Sequence, residues 1–218
     1  MTSYGFCSFF VSALLRSKPY LIHKPVAVAH GMSDGCEISS CNYPARAKGV
    51  RNGMFMRSAK EKCPDLIALK YDFELYEKLS EQIYNIFYSI PEAVIVQPVS
   101  VDEAYLEFPS NVDANLIASN LRQQVFSETQ CPCSAGIGPN MLLAKLATKK
   151  AKPNGQYEIH NGNLYSAIGD LKLDDLPGIG WKISKILGDH GLYKVNDVIP
   201  FTKEELQVVR YRGGCLFT

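Results

Sequence analysis

The 218-residue chain has seven cysteines (Cys7, Cys36, Cys41, Cys63, Cys131, Cys133 and Cys215) but no Cys-x-x-Cys pair. An odd set without that spacing argues against a disulfide framework or a zinc finger, and Cys131-Pro132-Cys133 is too tight for a structural zinc pair. The thiols read as reduced, packed side chains. No apolar run reaches the length of a membrane span, so no membrane association is expected. The first ten residues lack the charged and apolar regions of a signal peptide. Together these absences point to a cytosolic or nuclear protein. There is little net charge, only +1, so the whole chain carries no nucleic-acid signal. No internal repeat or low-complexity tract occurs. A hydrophobic content of 46% excludes disorder and supplies a packed core, as one large domain or two or three small ones.

Charge is nonetheless concentrated locally. Arg46, Lys48, Arg51, Arg57, Lys60 and Lys62 face one acid, Glu61, and Lys145, Lys149, Lys150 and Lys152 face none within their own segment. Such clusters either neutralise phosphates or form solvated helix faces. Apolar periodicity predicts a helix over 10–15 and a strand over 24–29. It also predicts a helix over 72–90, with Phe73, Tyr76, Leu79, Ile83, Ile86, Phe87 and Ile90 inward and Asp72 as N-cap. Strands follow over 93–98 and 104–108. A helix over 115–127 should turn Leu116, Ile117, Leu121, Val125 and Phe126 inward, followed by a strand over 133–138 and a helix over 140–151. With a strand near residues 4–6, this order suits an α+β fold with a ferredoxin-like sheet and helices on one face. Lys152-Pro153-Asn154-Gly155 is turn chemistry expected to end that domain.

Asp102 and Glu103 stand side by side between two predicted strands. Neighbouring carboxylates hold hard cations such as Mg²⁺, and such a site suits in-line phosphoryl transfer. By itself the pair also fits a solvated turn. Tyr43 and Arg46 lie three residues apart at a helix start and would project together, a single hydroxyl beside a planar fork suited to a triphosphate. Phe9 reads as core. Its neighbour Phe10 could stand beside a nucleotide sugar and exclude a 2′-hydroxyl. Leu176-Pro177-Gly178-Ile179-Gly180, ahead of a helix over 182–187, has the shape of a helix-hairpin-helix. Its glycines permit a tight turn whose amides can face a DNA phosphate, and a plain αα-turn is the alternative.

Taken in order, these pieces resemble a Y-family translesion DNA polymerase. Asn52-Gly53-Met54-Phe55, Cys63-Pro64-Asp65-Leu66 and Tyr71-Asp72-Phe73 with Tyr76 look most like the deoxycytidyl (dCMP) transferase branch, the Rev-type DNA repair proteins. Residues 134–140 and 143–157 fit that branch too. The resemblance implies a palm over 1–24 and 92–162, small helical fingers over 25–91, and a truncated helical thumb carrying the helix-hairpin-helix over 163–218. It implies metal-binding carboxylates at Asp102 and Glu103, a backbone carbonyl to the metal from Phe6, and a steric gate at Phe10. Triphosphate contacts would come from Tyr43, Arg46 and Lys145, and DNA-backbone contacts from Gly178, Gly180 and Lys182. The implied cofactor is Mg²⁺ in a two-metal site, the partners are primer–template DNA and dCTP, and the compartment is the nucleus.

The chain departs from the family pattern at its first strand. The family carries an aspartate five residues before the steric gate; here that position is Gly5, and a second aspartate two residues on is Cys7. A missing third carboxylate predicts severely reduced nucleotidyl transfer. The family's templating arginine lies upstream of this strand, and its little finger and partner-recruiting tail lie beyond Thr218, so weak DNA binding is expected. An incomplete or mis-spliced version of a normal polymerase, a short product that is a non-catalytic DNA-binding or scaffold protein, and another Y-family branch remain the competing expectations.

Overall fold

The computed structural model describes residues 1–6 and 8–206. Cys7 and Cys215 lie outside the described residues. The chain divides into two compact units, Met1–Glu158 and Ile159–Thr218. The first contains β1 (Thr2–Phe6), α1 (Phe9–Leu15), β2 (Val26–Ala29), β3 (Ile38–Cys41), α2 (Tyr43–Ala47), α3 (Met56–Lys62) and β4 (Ile67–Leu69). It continues through α4 (Phe73–Tyr88), β5 (Ile95–Ser100), β6 (Glu103–Glu107), α5 (Ala114–Thr129), β7 (Cys133–Ile137), α6 (Met141–Ala151) and β8 (Gln156–Glu158).

The main sheet has the order β5-β6-β1-β7-β8. β1 runs antiparallel to both β6 and β7, and β8 is parallel to β7. The first four strands have the ferredoxin-like order. The turn at 152–155 does not end this unit, because it returns the chain into β8 at the sheet edge.

Helix starts follow local chemistry. Asp72 accepts from Leu75 N at 3.1 Å, Asp113 from Asn115 N and Leu116 N at 3.0 Å, and Asn140 from Leu143 N at 2.9 Å. Each cap satisfies amides that have no partner inside the helix. α4 buries Tyr76, Leu79, Ile83, Ile86 and Phe87. Phe73, expected inward, is exposed at the first turn and stacks on Tyr71 with centroids 5.0 Å apart. α5 buries Ala118, Leu121, Val125 and Thr129. Leu116 and Phe126, also expected inward, fall off that stripe and are exposed.

The expectation of helices on one face holds for α4 and α5 but not for α6. Tyr4, Phe6, Ala104, Leu106, Ala135 and Ile137 join the buried side chains of α4 and α5 in one cluster. Alternation then sends residues 3, 5, 134 and 136 to the other face. There α6 packs so closely that a β-carbon on Gly136 would lie 2.0 Å from Thr148 N. The Thr148 hydroxyl reaches the Ser3 carbonyl at 3.0 Å and the Ala144 carbonyl at 2.9 Å.

Residues 25–91, expected to be helical, contain a three-stranded sheet as well, in the order β3-β2-β4. β2 is buried on both faces. Val26 and Val28 join the first cluster, while Ala27 and Ala29 join a second one with Ile38, Cys41, Met56 and Ala59. This strand therefore couples the two cores.

β1 carries polar groups into the interior. Thr2 Oγ1, Ser3 Oγ and Tyr4 OH are buried without a hydrogen-bond partner among the described residues. Burial, the largest cause, pushes the Tyr4 phenol well above its ordinary pKa. An unsatisfied buried hydroxyl costs about 1–3 kcal/mol. Tyr4→Phe keeps the ring beside Phe87, 5.1 Å away, and removes that cost. It should raise the melting temperature by at least about 2 °C per kcal/mol recovered in a chain of this size. A lowered melting temperature in calorimetry would count against the unsatisfied-hydroxyl account.

The second unit contains α7 (Leu164–Ile168), α8 (Trp181–Asp189) and α9 (Val195–Val198). Leu173 N donates to Tyr193 O at 2.9 Å and Val195 N to Leu171 O at 3.0 Å. Backbone N–H groups of Tyr193 and Lys194 donate to Asp197 and hold its carboxyl below the usual range. The predicted helix over 182–187 lies within α8. Ahead of it Leu173–Asp175 forms only a 3-10 turn. Gly178 has φ +91°, which an L side chain rarely adopts, and Gly180 is the extended N-cap of α8.

Candidate active site

The carboxylates sit on a tight hairpin. Ser100 pairs with Glu103 across β5 and β6, leaving Val101-Asp102 as the connecting turn, with a bulge between Pro98 and Ser100. The Tyr84 hydroxyl, from α4, lies 2.7 Å from both the Ser100 and Glu103 carbonyls. Burial, the largest cause, raises its pKa, so it remains a donor that pins both sides of the turn. Ser100 Oγ donates to Asp102 Oδ1 at 2.8 Å, and Phe6 N donates to Asp102 O at 3.2 Å. Asp102 is thereby fixed at the end of β1. Glu103 stands opposite Gly5 in the β1–β6 register, and its carboxylate forms an ion pair with Lys145 of α6.

The opposing wall comes from β3 and α2. Asn42 Oδ1 accepts from Val26 N at 3.0 Å and Ala45 N at 3.1 Å, which ties the start of α2 to β2. Arg46 Nε donates to the Cys41 carbonyl at 2.9 Å, and its Nη2 is 3.5 Å from Ser8 Oγ. Ser8, left-handed at φ 57°, donates its own hydroxyl to Cys41 O at 2.6 Å. The cation of Arg46 is thus braced at the junction of β1, α1 and β3. Phe10 is braced from behind, stacked on Tyr76 at 4.5 Å and edge-on to Tyr71 at 6.1 Å.

Between these walls lies a cleft of about 370 Å³, lined by Phe6, Phe10, Arg46, Asn52, Asp102 and Lys152, with Ser8, Phe9, Ser39 and Ser40. It is concave and polar, with an aromatic ring on one side and two cations facing one carboxylate. That chemistry suits a phosphorylated ligand with a flat or sugar-like body.

Residues 6–149 match the impB/mucB/samB family. The chain belongs to that family, the Y-family DNA polymerases. It is 40% identical over 207 residues to the DNA repair protein rev1 of Schizosaccharomyces pombe, covering 93% of this chain and 22% of that protein. It is 38% identical over 202 residues to DNA polymerase IV of Shewanella frigidimarina, covering 91% of this chain and 56% of that one. Its fold matches DinB from Sulfolobus solfataricus with a TM-score of 0.84 at 26% identity, over 97% of this chain and 64% of that one. The chain spans about a fifth of the length of its Rev1 relatives.

Of the residues singled out in the sequence, the cleft brings together Phe6, Phe10, Arg46 and Asp102. Tyr43 stays beside Arg46, whose guanidinium lies 5.6 Å over its ring, but the phenol lines a different, apolar depression. Lys145, expected at the triphosphate, forms an ion pair with Glu103 and is not among the residues lining the cleft. Lys152, not singled out as a site residue in the sequence, lines the cleft. Asn52 and Ser40, not singled out as site residues in the sequence, also line the cleft. Gly178, Gly180 and Lys182 belong to the second unit.

A two-metal Y-family centre does not fit these residues. Gly5 offers no ligand, and a β-carbon there would lie 3.3 Å from the Lys152 ammonium. Glu103 is already neutralised by Lys145. Among the described residues, no group of three or more His, Cys, Asp or Glu is arranged to hold a metal ion.

Proposed function

We propose that residues 1–162 form the palm and fingers of a Rev-type translesion polymerase, receiving a deoxynucleoside triphosphate at the cleft. The observation that carries this reading is the convergence of Arg46, Lys152, Phe10 and Asp102 on one cavity. Arg46 supplies a forked donor and Lys152 a point charge for phosphate oxygens. Phe10, held by Tyr76 and Tyr71, presents its ring where a 2′-hydroxyl would collide. The palm is assigned to 1–24 and 92–162, the fingers to 25–91, and the thumb to residues from 163 onward. In the thumb, Gly178, Gly180 and Lys182 would meet the DNA backbone through a helix-hairpin-helix turn and the open N-terminus of α8.

The reaction of this lineage, on our reading, is template-directed transfer of dCMP from dCTP to a primer 3′-hydroxyl, with pyrophosphate leaving, in the nucleus. Mg²⁺ supplies charge neutralisation at the phosphates in such transfers. This chain's own residues orient the triphosphate and the sugar, but Gly5 leaves the acidic cluster incomplete. The expected result is primer extension with dCTP at least about 10²-fold below that of Gly5→Asp, the loss associated with removing one major electrostatic contribution in a site. Equal extension by both proteins would reject the assigned role of position 5. If neither extends a primer while both bind primer–template DNA, the scaffold reading favoured by the Lys145–Glu103 pair takes over. Similar identity to Rev1 and to DNA polymerase IV makes nucleotide choice the measurement that separates the branches. Preference for dCTP opposite every template base supports the transferase branch.

A further inference from the structure

We infer that the cleft binds a nucleoside triphosphate without a divalent cation, with the Lys152 ammonium standing where the family's missing carboxylate would hold metal. This inference rests on the reading of the cleft as a nucleotide site. Its starting point is the space beside Gly5. A β-carbon built there would meet Lys152 Nζ and Thr148 Cγ2, both at 3.3 Å, with Lys152 Cε at 3.5 Å. The side chain at position 5 points to the face covered by α6. Lys152 caps the end of that helix and reaches back over β1 into the cleft. An aspartate in this position would pair with the lysine or displace it. Glycine leaves the ammonium in the cleft that Asp102 also lines.

The charge balance of the site follows. Arg46 and Lys152 face Asp102 in the cleft, and Glu103 is matched by Lys145. Carboxylates predominate in a site that must attract two divalent cations. Here the fixed cations outnumber the free carboxylate, so a metal ion approaching Asp102 meets like charge, whereas a polyphosphate meets opposite charge. Arg46 is preorganised by the Cys41 carbonyl and Ser8, so little side-chain freedom is lost when it engages an anion. The cleft therefore does with side chains what its relatives would require metal ions to do for binding. It gains a tethered cation and loses the centre that would activate a primer hydroxyl.

The test is titration of the full chain with dCTP, in EDTA and in Mg²⁺, by calorimetry. The dissociation constants in the two buffers should agree within about threefold, well under the tenfold step that corresponds to 1.4 kcal/mol. Lys152→Met should weaken binding in EDTA by about tenfold or more, and Lys152→Arg should retain most of it. Gly5→Asp should make binding Mg²⁺-dependent by about tenfold. Lys152 is exposed at a helix end, and a melting curve for each variant checks the fold, with Gly5→Asp giving an independent arm. Binding by the wild-type chain only in Mg²⁺ overturns this inference and leaves the nucleotide-site reading standing. Unchanged affinity in Lys152→Met also overturns it. Absence of dCTP binding in both buffers overturns the inference and the nucleotide-site reading together.

Discussion

Replacing Gly136 by alanine is expected to cost at least about 3 kcal/mol of stability, the upper part of the range for forced overpacking. The added methyl would lie 2.0 Å from Thr148 N, 2.3 Å from Ala144 O and 2.5 Å from Thr148 Oγ1. Two of those atoms are helix backbone, so a rotamer change cannot relieve the clash. α6 would have to lift from β7 as a body, or β7 would have to shift between β1 and β8. Lifting α6 breaks the Thr148 contact to Ser3 and withdraws Lys145 and Lys152 from the site. Gly138 is under the same constraint, since a β-carbon there would lie 2.7 Å from Ala144 N. Against a typical domain stability of about 5–15 kcal/mol, a loss of this size leaves a marginal fold. Urea denaturation followed by circular dichroism measures it. A change under about 0.5 kcal/mol would mean that α6 does not pack on β7 at this distance.

Arg46→Ala is expected to weaken dCTP binding by about 10- to 150-fold, the equivalent of the 1.5–3 kcal/mol assigned to a hydrogen bond with a charged partner. The guanidinium is held in place by Cys41 O and Ser8 Oγ. Removing it deletes a preorganised fork and leaves the Cys41 carbonyl with Ser8 as its remaining side-chain donor. Arg46→Lys restores charge but not the planar pair of donors, so it should fall between the two. Titration calorimetry reports affinity, and a melting curve separates that loss from local unfolding around Ser8. Wild-type affinity in Arg46→Ala would remove the triphosphate from this wall of the cleft.

Much of the fold is legible in the sequence because the relevant signals are local. Asp72, Asp113 and Asn140 mark helix starts by side-chain chemistry that depends only on nearby amides. The stripe of Tyr76, Leu79, Ile83 and Phe87 repeats at helical spacing. β2 is found as a short apolar run, but β3 and β4 escape notice for the opposite reason: they have only four and three residues. Phe73, Leu116 and Phe126 are apolar enough to suggest burial, but register around the helix decides exposure, and sequence hydrophobicity alone misjudges it. The site divides in the same way. Asp102, Arg46 and Phe10 sit in short motifs with recognisable chemistry. Lys152 looks like one charge in a basic cluster. Its meaning depends on α6 crossing β1 and on the absent side chain at Gly5, neither of which is adjacent to it in sequence. Lys145, on the same helix, pairs with Glu103 of β6, a partner 42 residues away that spacing along α6 does not reveal.

The central position of β1 bears on how the chain reaches its native state. This strand pairs with β6 on one side and β7 on the other, and the Thr148–Ser3 bond spans 145 residues. Contacts of that range close large loops before they contribute any stability, which slows folding. Until β6 and β7 join it, β1 presents two unpaired edges beside the apolar rings of Phe6, Phe9 and Phe10, a combination prone to pairing with other chains. The cleft therefore forms late, and the segment that carries Gly5 spends the longest time waiting for partners.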